Sequence, residues 1–143
     1  MERLGLFVFS GSFYAVPLIT LRKIVHQQNG YLLPKLPLAV SEVLVENKQL
    51  IPLVALPGQD LGRISENRGA EYKVLVESEA GTIALPADET CGIIAAHKGE
   101  LLPAEEGESA GIKGRFNYQS TDYHILDIDF LALRMTQVTD KVA

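Results

Sequence analysis

Short apolar runs, each closed by a glycine, a proline or a polar pair, recur along the whole chain, and this punctuation limits the fold more than any other feature. A strand crosses a sheet in a few residues, whereas a helix needs a longer periodic stripe. Leu4 to Phe9 and Phe13 to Leu18 flank Ser10-Gly11-Ser12 and read as a hairpin. Tyr72 to Glu77 and Thr82 to Ala87 flank Ser78-Glu79-Ala80-Gly81 as a second. Val43 to Val45 and Leu50 to Leu56 are strands joined by the polar turn Glu46-Asn47-Lys48-Gln49. Leu50 to Leu56 is apolar on both faces, so it is expected to be buried on both sides, and Pro52 inside it marks an edge or a bulge. Arg115 to Gln119 alternates, with Phe116 and Tyr118 on one face, and Ser120-Thr121-Asp122 turns the chain into a strand from Tyr123 to Ile128.

Two helices are expected. Leu18, Leu21, Ile24 and Val25 recur at helical spacing, up to the turn at Asn29-Gly30. Phe130 to Gln137 closes the chain with Asp129 as its N-cap. Leu33-Pro34-Lys35-Leu36-Pro37 excludes helix, because each proline disfavours it for the preceding residue. Gly58 to Gly69 reads as a surface connection and Lys98 to Gly114 as a loop. Many short strands and few helices in 143 residues predict an all-β barrel or sandwich.

Composition narrows the function. The chain is 47% hydrophobic and 22% charged, ordinary for a folded domain. Its 13 Lys and Arg against 18 Asp and Glu give a net charge of −5, which argues against nucleic acid and against electrostatic docking on an anionic membrane. No run approaches the ~18 apolar residues of a membrane span. The apolar stretch Leu4 to Phe9 is short for a secretory h-region. The single Cys91 rules out an internal disulfide and, with these features, points to the reducing cytoplasm.

The residues carry little chemistry. No phosphate loop, dinucleotide fingerprint or serine elbow occurs. In His124-Ile-Leu-Asp127-Ile-Asp129, a strand would set His124 with Leu126 and Ile128 on one face and both aspartates on the other, so they would not converge on a metal. Cys91, followed by Gly92 and Ile93, reads as a small buried hydrophobe rather than a nucleophile. Glu105-Glu106-Gly107-Glu108 reads as a solvated loop. The 46–49 turn is either an ordinary hairpin tip or a docking site on rigid strands. The residues alone therefore describe an interaction module without a visible active site.

The order of segments adds a resemblance. Phe13-Tyr-Ala-Val-Pro-Leu-Ile-Thr-Leu-Arg-Lys-Ile-Val25 resembles the opening of the CheW-like family, and Leu33-Pro-Lys-Leu-Pro37 its proline pair. Gln49-Leu-Ile-Pro-Leu-Val-Ala-Leu56 is similar to its central strand. Tyr72 to Val76 with Thr82 to Gly92 resembles its "Val-Asp-x-Val-x-Gly" hairpin, Asp88 and Gly92 included. Gly114 to Leu131, with Ile125-Leu-Asp-Ile-Asp129, resembles its closing strand and helix. The resemblance covers roughly residues 5 to 135 and implies two small five-stranded β-barrels sharing a hydrophobic core. It implies a non-enzymatic, cofactor-free, cytoplasmic adaptor in chemotaxis or a related chemosensory system. One barrel would dock on the regulatory domain of a CheA-type histidine kinase, and a groove between the barrels would take the helical tip of a chemoreceptor.

The family's Gly-x-x-Asn-Leu-Arg-Gly falls on Glu42 to Lys48, so Asn47 stands at the arginine and Glu42 and Lys48 at the glycines. Ala55 stands where the family usually has Asp. An amide cannot reproduce a guanidinium's forked, charge-assisted bonds. The partner-binding residues carried over are Val43, Val45, Glu46, Asn47, Lys48 and Gln49. A stand-alone regulatory module, binding a small ligand between its barrels or a different protein partner, is the second reading.

Overall fold

The computed structural model describes residues 2–137. Eleven strands form two sheets and one helix closes the described chain. The strands are β1 (Arg3–Phe9), β2 (Ser12–Pro17), β3 (Leu21–His26), β4 (Val40–Glu46), β5 (Gln49–Val54), β6 (Tyr72–Ser78), β7 (Gly81–Ala87), β8 (Glu89–Ala95), β9 (Glu100–Leu102), β10 (Ile112–Tyr118) and β11 (Thr121–Leu126); the helix is α1 (Ile128–Gln137). One sheet has six strands in the order β8-β1-β2-β11-β10-β9, the other five in the order β3-β6-β7-β5-β4. The mainly β, two-lobed architecture is the one expected. The lobes differ from two five-stranded barrels in that the first has a sixth strand and neither ladder closes on itself.

The doubly apolar strands explain the layering. On β1, Leu4 and Leu6 face a small cluster with Phe116 and Tyr123, while Phe7 and Phe9 face the central core. On β5 and β6, Ile51, Leu53 and Leu75 fill the second lobe, while Val54, Val74 and Val76 turn to the same central core. Successive strand residues point to opposite faces, so a strand between two cores must be apolar throughout. The central cluster, completed by Leu126, Ile128 and Leu131, is the shared core that joins the lobes.

The second sheet bends until its two edges nearly meet. Tyr31, beyond β3, and Val43 of β4 exchange backbone hydrogen bonds of 2.8 and 2.9 Å. Gly30 is needed for this approach, because a Cβ there would lie 2.5 Å from the Val43 carbonyl oxygen. Pro52 lies on an interior strand, yet β5 meets β7 only at Leu53↔Ala84. At Pro52 the strand is in effect an edge, so the missing donor is tolerated.

Several local expectations change. Leu18–Thr20 is a single 3-10 turn, and Leu21–His26 is a strand on β6 rather than a continuation of a helix. The β-branched Ile24 and Val25 favour the extended chain, and the ladder to β6 decides a run too short for its period to do so. The final helix starts at Ile128 and is capped by Asp127, whose carboxylate accepts the Phe130 N–H at 3.1 Å. Asp129 sits in the first turn and instead accepts the Glu79 N–H at 2.8 Å, tying the helix to the β6–β7 turn. The Gly58–Gly69 connection contains a 3-10 stretch, Leu61–Gly69, that buries Ile64 and Asn67. The 98–114 loop contributes β9 to the sheet.

Candidate functional site

The β4–β5 hairpin is built around a two-residue turn. Glu46 pairs with Gln49, and Asn47 and Lys48 between them have φ of 49° and 64°. Two successive left-handed residues make the turn whose twist suits a hairpin. Asn tolerates that conformation; Lys48 holds it against its Cβ. The tip is fixed from the side: Lys23 Nζ of β3 donates to Glu46 Oε1 at 2.6 Å, and Gln28 Nε2 donates to the Val45 carbonyl at 3.4 Å. The Lys23 hydrogen bond, then its charge, holds the Glu46 carboxyl below its ordinary value.

Of the residues expected to bind a partner, Val45, Asn47, Lys48 and Gln49 are exposed and Glu46 half-buried. Val43 is 7% exposed and bonded to Tyr31, so it supports the surface and does not form it. A residue outside the expected set matters more. Leu50 is 67% exposed and lies opposite Val45, itself 43% exposed. Directly opposed strand residues share a face, so these two make an apolar step beside the charged tip. Alternation does not reveal the pair, because Val45 shares its face with buried Val43 and Leu50 with buried Val54; the two are exposed because they lie at the hairpin end, beyond the core.

A groove lies between the lobes. Leu6, Val16, Leu21, Ile24, Val74 and Ile93 line an almost wholly apolar cleft of about 170 Å³. A bulge prepares its β3 wall: Leu21 faces Val76 and Lys23 faces Leu75, leaving Arg22 as the extra residue. The bulge re-aims the side chains around it, and Arg22 pairs with Glu77 on β6.

Behind the hairpin lies an ionic cluster without a sequence signal. Glu42 is 0% exposed, and its two oxygens meet Arg68 Nε at 2.9 Å and Lys73 Nζ at 3.3 Å. Lys73 also donates to the Gln28 carbonyl at 2.6 Å and the Arg68 carbonyl at 3.1 Å. The cluster ties β4, β6, the 3-10 stretch and the segment after β3 together from inside.

The remaining candidates do not assemble a reactive site. Cys91 is exposed, contrary to expectation, because it is the extra residue of a bulge between Thr90 and Gly92 on the edge strand β8. Partial burial and the Glu89 carboxylate raise its thiol pKa, which disfavours the nucleophilic thiolate. His124 pairs with Glu108 at 3.5 Å and His26 with Glu71, so neither is set on Cys91. That pairing also makes Glu108 part of the fold rather than a solvated loop residue. Asp127 lies past the end of β11 as a helix cap, and Ile128 and Asp129 belong to the helix, so the strand reading of 124–129 ends at Leu126. Among the described residues no group of three His, Cys, Asp or Glu could hold a metal ion, and no helix is long and apolar enough to cross a membrane.

Comparison with known proteins gives the family and the fold. The family model for the CheW-like domain matches residues 3–134. No curated protein matches the chain. Among 15 matching chains of solved structures is the scaffolding protein TtCheW from Thermoanaerobacter tengcongensis. It is 14% identical, with a TM-score of 0.71 over 91% of each chain, a likeness that concerns the fold.

Proposed function

The chain belongs to the CheW-like domain family, and from that premise we propose that it is a cytoplasmic, non-enzymatic adaptor coupling chemoreceptors to a CheA-type histidine kinase. The observation that carries the reading is the pairing of a rigid hairpin tip with an apolar step, Val45–Leu50, exposed on the second lobe. Apolar side chains held on a rigid frame and rimmed by charge suit a partner surface rather than a substrate. The kinase regulatory domain docks on this hairpin through Val45, Glu46, Asn47, Lys48, Gln49 and Leu50. The helical receptor tip lies in the apolar groove between the lobes. With Asn47 at the family's arginine position, the interface leans on the apolar step and on the fixed Glu46 carboxylate. Calorimetric titration with the regulatory domain of a CheA-type kinase tests this. Binding that weakens in Asn47→Ala, Lys48→Ala and Leu50→Ala at unchanged melting temperature supports it; no binding by the folded protein overturns it.

A second reading, a small-ligand module, rests on one cleft. Phe9, Ser10, Tyr14, Gln59, Arg63 and Asn67 line about 340 Å³ between the β1–β2 turn and the 3-10 stretch. A metabolite-dependent rise in melting temperature, without kinase binding, would favour it.

A further inference from the structure

The six-stranded sheet ends in two edges of different kinds. On one side lies β9, three residues long; on the other lies β8, seven residues long, with β1 as its ladder neighbour. From Glu89 to Ile93 every residue of β8 is exposed, and Ile93 itself is 52% exposed. Native edges are usually protected by Lys, Pro, inward charges or bulges; β8 carries one bulge, at Cys91. Within β8 the one charged residue is Glu89, and there is no proline. The charges instead stand at opposite ends: Asp88 and Glu89 open the segment, and Lys98 closes the 3-10 turn, Ala96–Lys98, that follows it.

That pattern is self-complementary when two copies run antiparallel. We propose that β8 is a self-association edge, and that its partner is β8 of a second copy of this chain. Neighbouring antiparallel strands of two identical sheets are related by a two-fold axis normal to the sheet, so one residue must face its own mate. The bulge at Cys91 and Gly92, where Gly92 has a φ of 96°, bends the first part of the strand, and Ile93 to Ala95 continue it beyond the bulge. Centring the axis on Ile93 sets the exposed Ile93 against Ile93 of the other copy, at the margin of the groove between the lobes that Ile93 also lines. It brings the acidic Asp88–Glu89 end of each copy to the Lys98 end of the other. The two six-stranded sheets then run on as one.

Sedimentation velocity over a concentration series tests this, with circular dichroism as a check on folding. The wild type is expected to show a concentration-dependent dimer. Ile93→Lys, which puts two like charges on the axis at an already exposed site, is expected to be monomeric. The Cys91→Ser/Ile93→Cys double variant is expected to give a covalent dimer on oxidation, since residues facing across the axis lie within disulfide reach. Lys98→Glu is expected to weaken the dimer and Asp88→Lys, at the position facing it, to restore it when added. A wild type that is monomeric throughout, with no cross-link in the double variant, overturns the proposal and leaves the edge to a strand of another protein. A dimer undiminished in Ile93→Lys overturns it by placing the contact elsewhere. Failure of the double charge reversal to restore association overturns the antiparallel arrangement.

Discussion

Lys23 of β3 and Glu46 of β4 stand at opposite ends of the strand order in the five-stranded sheet, yet their side chains meet at 2.6 Å. The contact joins the two edges of the bent sheet and anchors the tip of the β4–β5 hairpin. Glu46 is thereby a structural carboxylate at the margin of the proposed kinase interface.

The first prediction concerns pH. The Glu46 pKa is lowered from 4.5 in the folded state, so the folded protein binds this proton less readily than the unfolded chain. Its stabilising contribution is complete above pH 4.5 and is lost as pH falls through the lowered folded value. Glu46→Gln should therefore be less stable than wild type near neutrality, and the two should converge in acid. Urea denaturation midpoints across that range give the comparison, and a gap that persists undiminished in acid would contradict it.

Lys48 holds a φ of 64°, where a side chain is strained. Lys48→Gly should raise stability by about 0.5–1 kcal/mol, since glycine adopts that conformation freely and gives back part of the gain in unfolded-chain entropy. A higher urea midpoint with unchanged slope is the expected result.

Removing the buried carboxylate should be severe. Glu42→Ala leaves Lys73, whose side chain is 1% exposed, without its counter-ion. A loss of about 3–5 kcal/mol is expected. Replacing both residues, as in Glu42→Leu with Lys73→Met, should recover much of it, because the charge that remains, Arg68, is 37% exposed and can be solvated. Thermal unfolding of the single and double variants measures the difference.

Two leucines three positions apart should separate stability from binding. Leu53 is 0% exposed, and Leu53→Ala should cost about 2–5 kcal/mol. Leu50 is largely exposed, so Leu50→Ala should stay within about 0.5 kcal/mol of wild type. Under the adaptor reading it should nevertheless weaken kinase binding about fivefold or more, or about 1 kcal/mol. Paired unfolding and calorimetric titrations decide this.

Most of the fold could be read from local pattern. The hairpins at Ser10, Asn47 and Glu79 are marked by turn residues between apolar runs, and β5 from Ile51 onward announces its burial on both sides by being apolar on both faces. The strand Leu21–His26 was obscured because Leu18, Leu21, Ile24 and Val25 fit a helical period too briefly to exclude a strand. Its identity is set by β6, which is distant in sequence. The hairpin site was legible as a polar turn between strands. Leu50 was not, because it lies on the same face as the buried Val54, and only the packing shows where along that face the core stops.

The sequence by itself determined the class: short doubly apolar strands, turn chemistry at fixed places and an acidic, catalytically bare composition allow little but a layered β domain. Only the tertiary structure decided which side chains meet. The Glu42–Arg68–Lys73 cluster, the Lys23–Glu46 link and the groove from Leu21 to Ile93 each join residues from strands far apart in the chain. Periodicity encodes a residue's face, but the neighbour across that face is fixed by the bend of the sheets and the packing of one lobe on the other.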